Sequence, residues 1–181
     1  MISIEWTNAL DVDAARIEQK ILRALKQNPN YPENYTKLYA ERRYYHGTVG
    51  ELAFEVLLAA QHIRHKAVRE TKGRSVRVDY WVWREGRPYS LDVKTRSQPQ
   101  HDLCMMPLAQ FQAHQKELYV GERLHPDDHE IQILRYATRR EVAEWERRTF
   151  GPHETITLCA PFESMHPIED LLARLDRDDG R

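Results

Sequence analysis

Cysteine is scarce in this sequence: Cys104 and Cys159 are the only two in 181 residues. They lie far apart and show no CxxC or Cys/His ligand spacing, which argues against zinc and iron–sulfur sites. Such sparse cysteine usage suits a reducing compartment, so a cytoplasmic location is expected. Long apolar runs are missing too. None approaches the roughly 20 residues that span a bilayer, so no membrane partner is expected. The opening MISIEWTNALDVDAARIEQK carries acids and has no apolar h-region, so a secretory signal is not expected. The nine histidines show no HxH or HExxH spacing. No repeat, low-complexity tract or linker divides the chain, and its length suits one domain with a genuine core.

What is present is ordinary in bulk and uneven in detail. Hydrophobic residues make up 41% and charged residues 30%, as in a soluble globular protein. The formal net charge is −1, yet residues 61–100 hold ten Lys/Arg against four Asp/Glu. A concentrated basic stretch is the footprint of a phosphate-binding face, or else simply a solvated basic surface.

Hydrophobic periodicity predicts a helix over 9–27, with Leu10, Ala14, Ile17, Ile21, Leu22 and Leu25 on one face. Pro29 and Pro32 break it, and a second, shorter helix is expected over 33–42. HGTVGELAFEVLLAAQHI, residues 46–63, reads as the strongest helix, with Glu51 in or near its first turn. VRVDYWVW (76–83) reads as a β-branched and aromatic strand, EGRP as a turn, and YSLDVKT (89–95) as the returning strand. PLAQFQAHQ predicts a helix, ELYVGERL and EIQILRYA two strands, and TRREVAEWERR and HPIEDLLARLD two further helices. The expectation is an α+β chain, a mixed sheet flanked by helices. Its core would cover 44–150, between a helical extension over 1–43 and a C-terminal segment and helix over 151–181.

Strand alternation decides which side chains meet. Arg77, Asp79, Trp81 and Trp83 share one face of the first strand, opposite Val76, Val78, Tyr80 and Val82. On the returning strand Asp92, Lys94 and Arg96 stand opposite Leu91, Val93 and Thr95. Two carboxylates and a lysine therefore converge on one hairpin. Charges set among apolar residues in mid-strand are costly unless paired or metal-bound. Phosphodiester cleavage needs such a set: carboxylate oxygens for a hard divalent cation, and a cationic group beside the attacking water.

Asp79, the tripeptide Asp92-Val93-Lys94 and Glu51 after Gly50 together resemble the PD-(D/E)XK nuclease superfamily. That superfamily includes restriction endonucleases, Holliday junction resolvases and phage exonucleases. The resemblance covers about residues 46–122, with Val78 standing where the motif name has proline. It implies a restriction-endonuclease-like αβββαβ core and a Mg²⁺- or Mn²⁺-dependent deoxyribonuclease acting on DNA, as in repair or recombination. It also implies that Glu51, Asp79, Asp92 and Lys94 are catalytic. Asp79, Asp92, the Val93 carbonyl and Glu51 would be the metal ligands. Homodimerisation is a further expectation, because many members cut two strands that way. The competing readings are a nuclease-fold protein that binds DNA or assembles without cutting, and a structural salt bridge between Asp79 and Lys94.

Other residues carry two readings each. Glu55 shares a helix face with Glu51 and is its substitute as site acid. Gln98 touches phosphate or lies in a solvated loop. Gln115 and Tyr119 have the QxxxY spacing of one nuclease subfamily, though Lys116 occupies a position that wants an apolar residue. Tyr44 and Tyr45, beside Arg42 and Arg43, stack on bases or pack a helix end. Trp81 and Trp83 pack beneath flanking helices or bind nucleotides, the packing being the main expectation. His46 and His101 are merely near the site in sequence.

Overall fold

A computed structural model describes residues 1–26, 37–68, 79–96, 102–114, 116–125, 127–150 and 155–178, with side chains over 20–26 and 37–44 outside the description. The first strand, β1 (Ile2–Glu5), precedes helix α1 (Asn8–Lys26), whose Leu10 and Ala14 are buried as their spacing predicts. The next helix, α2, runs from Lys37 to Ala60 without interruption. Sequence reading placed two helices there. No proline falls within 37–60, and packing against α1 and the sheet carries the helix through Gly47 and Gly50. The expected boundary at residue 43 thus lies inside a helix.

Strand β2 (His65–Ala67) was not anticipated. It begins a meander with β3 (Tyr80–Arg84) and β4 (Arg87–Arg96), all antiparallel. The strand read over 76–83 starts at Tyr80, and its first residues, 76–78, lie outside the described residues. Glu85 and Gly86 form the two-residue turn, with φ of +53° and +76°. Two positive φ values match the right-handed twist of paired strands, and glycine takes the second without a Cβ penalty. Asp176 holds that turn by accepting from the amides of Glu85 at 2.7 Å and Gly86 at 2.8 Å.

Strand β5 (Leu103–Pro107) and helix α3 (Leu108–Ala113) connect β4 to β6 (Leu118–His125), which lies parallel to β4. Strand β7 (Glu130–Thr138) returns antiparallel to β6, and β1 closes against β7. Helix α4 (Arg139–Ala143) begins with a capping box between Thr138 and Glu141. It then ends early: the helix predicted over 138–148 gives way to strand β8 (Glu146–Phe150), which pairs with β9 (Thr155–Pro161). The pairing partner decides this, because from Glu146 onward the antiparallel β9 supplies the backbone partners. A 3₁₀ turn, the short β10 (His166–Pro167) and helix α5 (Ile168–Leu172) finish the chain.

The large mixed sheet runs β1-β7-β6-β4-β3-β2, with β10 also on β7, and a second sheet runs β5-β9-β8. One face of the large sheet is covered by helices. Phe54, Leu57 and Leu58 of α2 and Ile168, Leu171 and Leu172 of α5 pack with Tyr80, Val82, Leu91 and Val93. The other face is covered over β6 and β7 by Cys104, Met106, Phe111 and Leu158, which meet Tyr119, Leu134 and Ala137. The fold is therefore mixed α+β, as expected. Among the described residues no helix is long and apolar enough to cross a membrane.

Candidate active site

The hairpin brings the two acids together. Asp79 lies one residue beyond the Tyr80↔Leu91 pair that ends the β3–β4 ladder, and its carboxyl is hydrogen-bonded to that of Asp92. There the Asp79 amide donates to the Leu91 carbonyl at 3.1 Å. Because β3 starts only at Tyr80, the Val93 amide turns to a side chain and donates to Asp79 Oδ2 at 2.7 Å. The Asp79 carboxyl thus reaches both the Val93 amide at the end of the ladder and the Asp92 side chain. Alternation holds on β4: Leu91 and Val93 enter the core beneath α2, and Asp92 and Lys94 face the other way. Val93 therefore offers this side only its backbone.

Asp92 is buried, at 3% exposure, and is gripped from both sides. Lys94 Nζ sits 2.5 Å from its Oδ2, and Lys116 Nζ lies 3.2 Å from its Oδ1. Burial pushes the Asp92 carboxyl up, but Lys94 and Lys116 outweigh it and hold the group below the usual carboxylate range. Lys94 shows the reciprocal effect. Burial opposes its charge, yet Asp92 and then Asp79 keep the ammonium above its ordinary value. Asp79 goes the opposite way. Burial, then the charges of Glu51 and Asp92, lift it well above the usual range despite Lys94. The two carboxyls are thus pushed apart, Asp92 toward its anion by two lysines and Asp79 toward its protonated form by burial and then by Glu51 and Asp92.

Glu51 comes from α2, and the sheet locks its turn in place. Tyr80, next to Asp79, donates its hydroxyl to the Glu51 carbonyl at 2.5 Å. The preceding residue explains how the helix comes so near. A Cβ on Gly50 would lie 2.0 Å from Thr95 Oγ1 and 2.5 Å from Glu122 Oε2, so only glycine lets α2 pack here without displacement. Glu51, rather than Glu55, figures among the charges acting on Asp79. Glu51, Asp79, Asp92 and Lys94 are therefore neighbours.

Two residues of this cluster were missed. Lys116 is only 2% exposed, and its position was read merely as a fault in the QxxxY pattern. Glu122 is fully buried beneath α2, where it accepts from Thr95 Oγ1 at 3.3 Å while its Oε1 has no hydrogen-bond partner. Burial, augmented by Glu51 and Asp79, lifts it well above the usual range. A carboxylate in the apolar strand LYVGERL, beside a glycine, was the available signal.

Of the QxxxY pair, Gln115 lies outside the described residues, whereas Tyr119 pairs with Asp92 across the parallel strands. The Tyr119 hydroxyl is buried without a hydrogen-bond partner, and burial and then Asp92 raise it. Tyr45 donates to Asp11 at 2.5 Å and packs its ring near Trp6, which makes it a clasp between α1 and α2. His46 adjoins the Tyr45 ring. Arg69, Gln98, His101 and the side chains of Arg42, Arg43 and Tyr44 lie outside the described residues. Trp81 and Trp83 depart from expectation: both are half-buried, and neither joins any of the three apolar clusters.

A hard divalent cation suits this donor set in part. Asp79 and Asp92 offer adjacent oxygens, and after burial the charges of Glu51 and Asp92 add to the upward pressure on Asp79. Mg²⁺ is commonly held through one or two carboxylates and water. Among the described residues, however, no group of three or more His, Cys, Asp or Glu is placed to hold a metal. The arrangement fits a sparse two-carboxylate site, not a protein cage. Comparison with protein-family models, curated proteins and solved structures finds no match to this chain.

Proposed function

We propose that this protein is a divalent-cation-dependent nuclease that hydrolyses DNA phosphodiester bonds, acting from a restriction-endonuclease-like core. One observation carries the reading: the side chains of Asp79 and Asp92 meet, with Lys94 on Asp92 and the charge of Glu51 from α2 acting on Asp79. With β5 set aside in the second sheet, the order α2, β2, β3, β4, α3, β6, with β6 parallel to β4, is compatible with the αβββαβ core that the resemblance implies. Asp79 and Asp92, with the Val93 carbonyl and Glu51, would hold Mg²⁺ or Mn²⁺. Once bound, the cation supplies a polarised phosphoryl oxygen and a more acidic water.

The chain's own groups do the rest. Lys94, held firmly in its charged form, offsets charge developing on the phosphoryl oxygens and orients the attacking water; it is poorly suited to abstracting a proton. Lys116 fixes the other oxygen of Asp92 and so sets the direction of its remaining lone pairs. Glu51 adds negative potential that favours a cation over an empty, proton-sharing pair. The two buried free thiols, Cys104 and Cys159, accord with a reducing cytoplasm.

A second reading draws on the same geometry. Both oxygens of Asp92 are already engaged by lysines, which favours a nuclease fold that binds DNA or assembles without cutting it. The two part on a single assay. Linear, circular, single-stranded and junction DNA are incubated with Mg²⁺ or Mn²⁺, for the parent and for Asp92→Asn. Cleavage abolished by EDTA and by Asp92→Asn supports the nuclease. DNA binding with no cleavage of any substrate selects the alternative.

A further inference from the structure

Among the described residues, the Asp92 face of the large sheet is covered in part. Over β6 and β7 it is sealed by the second sheet with α3 and α4. Over β3 and β2 the same face carries a different set of side chains. Two and four residues beyond Asp79, Trp81 and Trp83 project from this face, about 7 and 13 Å along the strand. Both are half-buried and outside every apolar cluster. Lys66 pairs with Trp81 across the strands, and the Arg64 guanidinium lies 4.7 Å from the Trp83 ring centroid. Both cations are exposed, on or beside β2, the edge strand of the sheet.

Two indoles in a row, each with a cation beside it, are costly on a solvated strand unless something stacks on them. Flat aromatic surface interleaved with fixed positive charge matches one polymer above others, a nucleic-acid strand whose base faces are open. A duplex hides its base faces and offers these indoles only a groove edge. The spacing along β3 is about twice the 3.4 Å axial step of a stacked strand, so an extended single strand fits better than a stacked one. The charge is complementary: the exposed Arg64 and Lys66 flank the indoles and suit a polyanion.

We propose that Trp81, Trp83, Arg64 and Lys66 form a platform that binds single-stranded DNA and leads it to the Asp79–Asp92 site. The inference rests on the nuclease reading for its purpose, though the binding it describes does not require cleavage. Bases lie on the indoles and on the Arg64 guanidinium, and Lys66 and Arg64 meet the phosphates. The preferred substrate is accordingly a single strand, or the unpaired tail of a duplex.

The test measures binding in EDTA, where cutting cannot interfere. Fluorescence anisotropy compares a labelled oligo-dT with a duplex of equal length, for the parent chain, Trp81→Ala, Trp83→Ala and Arg64→Ala/Lys66→Ala. The single strand should bind more tightly than the duplex. Each tryptophan variant should lose about 5- to 150-fold in affinity, the cost of one stacked base. The doubly neutralised variant should bind with a salt slope shallower by about 1.4. Should Trp81→Ala fail the circular-dichroism check for folding, Trp83→Ala and the exposed double variant decide the matter. Equal affinity for duplex and single strand, or unchanged single-strand affinity in the folded variants, overturns the platform. Absence of cleavage in the parent, with tryptophan-dependent binding intact, would sink the nuclease reading and leave the platform standing.

Discussion

Lys116→Met removes one of the two cations on Asp92 while keeping most of the side chain's volume. Lys116 and Asp92 are 2% and 3% exposed and meet at 3.2 Å, so water cannot replace the lost partner without reorganisation. Breaking a buried pair outright costs about 3–5 kcal/mol. Asp92 keeps Lys94 at 2.5 Å, so the loss should be nearer one charged hydrogen bond, about 1.5–3 kcal/mol. At this chain length that corresponds to a fall in Tm of roughly 3–12 °C. The pH dependence gives a sharper check. Asp92 is held below its ordinary value, so its contribution is full above the unfolded carboxylate pKa of about 3.9 and is lost as pH falls through the lower folded value. The deficit of Lys116→Met should therefore be complete at pH 7 and shrink in acid, where the parent is left with a buried lysine facing a neutral carboxyl. Urea unfolding at pH 7, 5 and 3 measures both quantities, and a double-mutant cycle with Asp92→Asn should return a coupling of about 0.5–3 kcal/mol. A variant as stable as the parent at pH 7 would refute the buried pairing.

Three further outcomes follow from the same geometry. Lys94→Met should cut DNA about a hundredfold more slowly or worse while still binding it, because it removes charge and three donors from the reacting centre; near-parental cleavage would make Lys94 a bystander. Gly50→Ala should destabilise by about 1–3 kcal/mol in urea, although alanine normally improves a helix interior by about 0.5–1 kcal/mol. The reversed sign follows from the 2.0 Å approach to Thr95 Oγ1, and a stabilised variant would show that α2 does not pack so closely. Asp79 and Glu122 are both lifted well above the usual range, so between about pH 4 and their folded values the native state holds more protons than the unfolded one. Metal-free protein should lose stability as pH rises through that window, and Mg²⁺ should restore more of it at higher pH, by mass action on the folded state. Thermal melts with and without Mg²⁺ across pH 5–8 test this, and a Mg²⁺ effect that does not grow with pH would count against carboxylate ligation.

The sequence by itself determined what depends on short-range periodicity. Alternation along β4 put Asp92 and Lys94 on one face, the hairpin turn with glycine second brought Asp79 near them, and helical spacing put Glu51 on an apolar helix. Those relations are local, so no knowledge of the rest of the chain was needed. Only the tertiary structure decided what depends on partners distant in the chain. The parallel alignment of β6 beside β4 sets Tyr119 against Asp92 and Glu122 against Thr95, and it brings a buried Lys116 to the second oxygen of Asp92. The strand β8, expected as helix, exists because β9 lies alongside it. Trp81 and Trp83 look like core residues by type and spacing. Among the described residues they stand outside the apolar clusters, because the covering sheet extends over β6 and β7. Burial of a side chain is a property of what packs over it, and that information is spread across the whole chain.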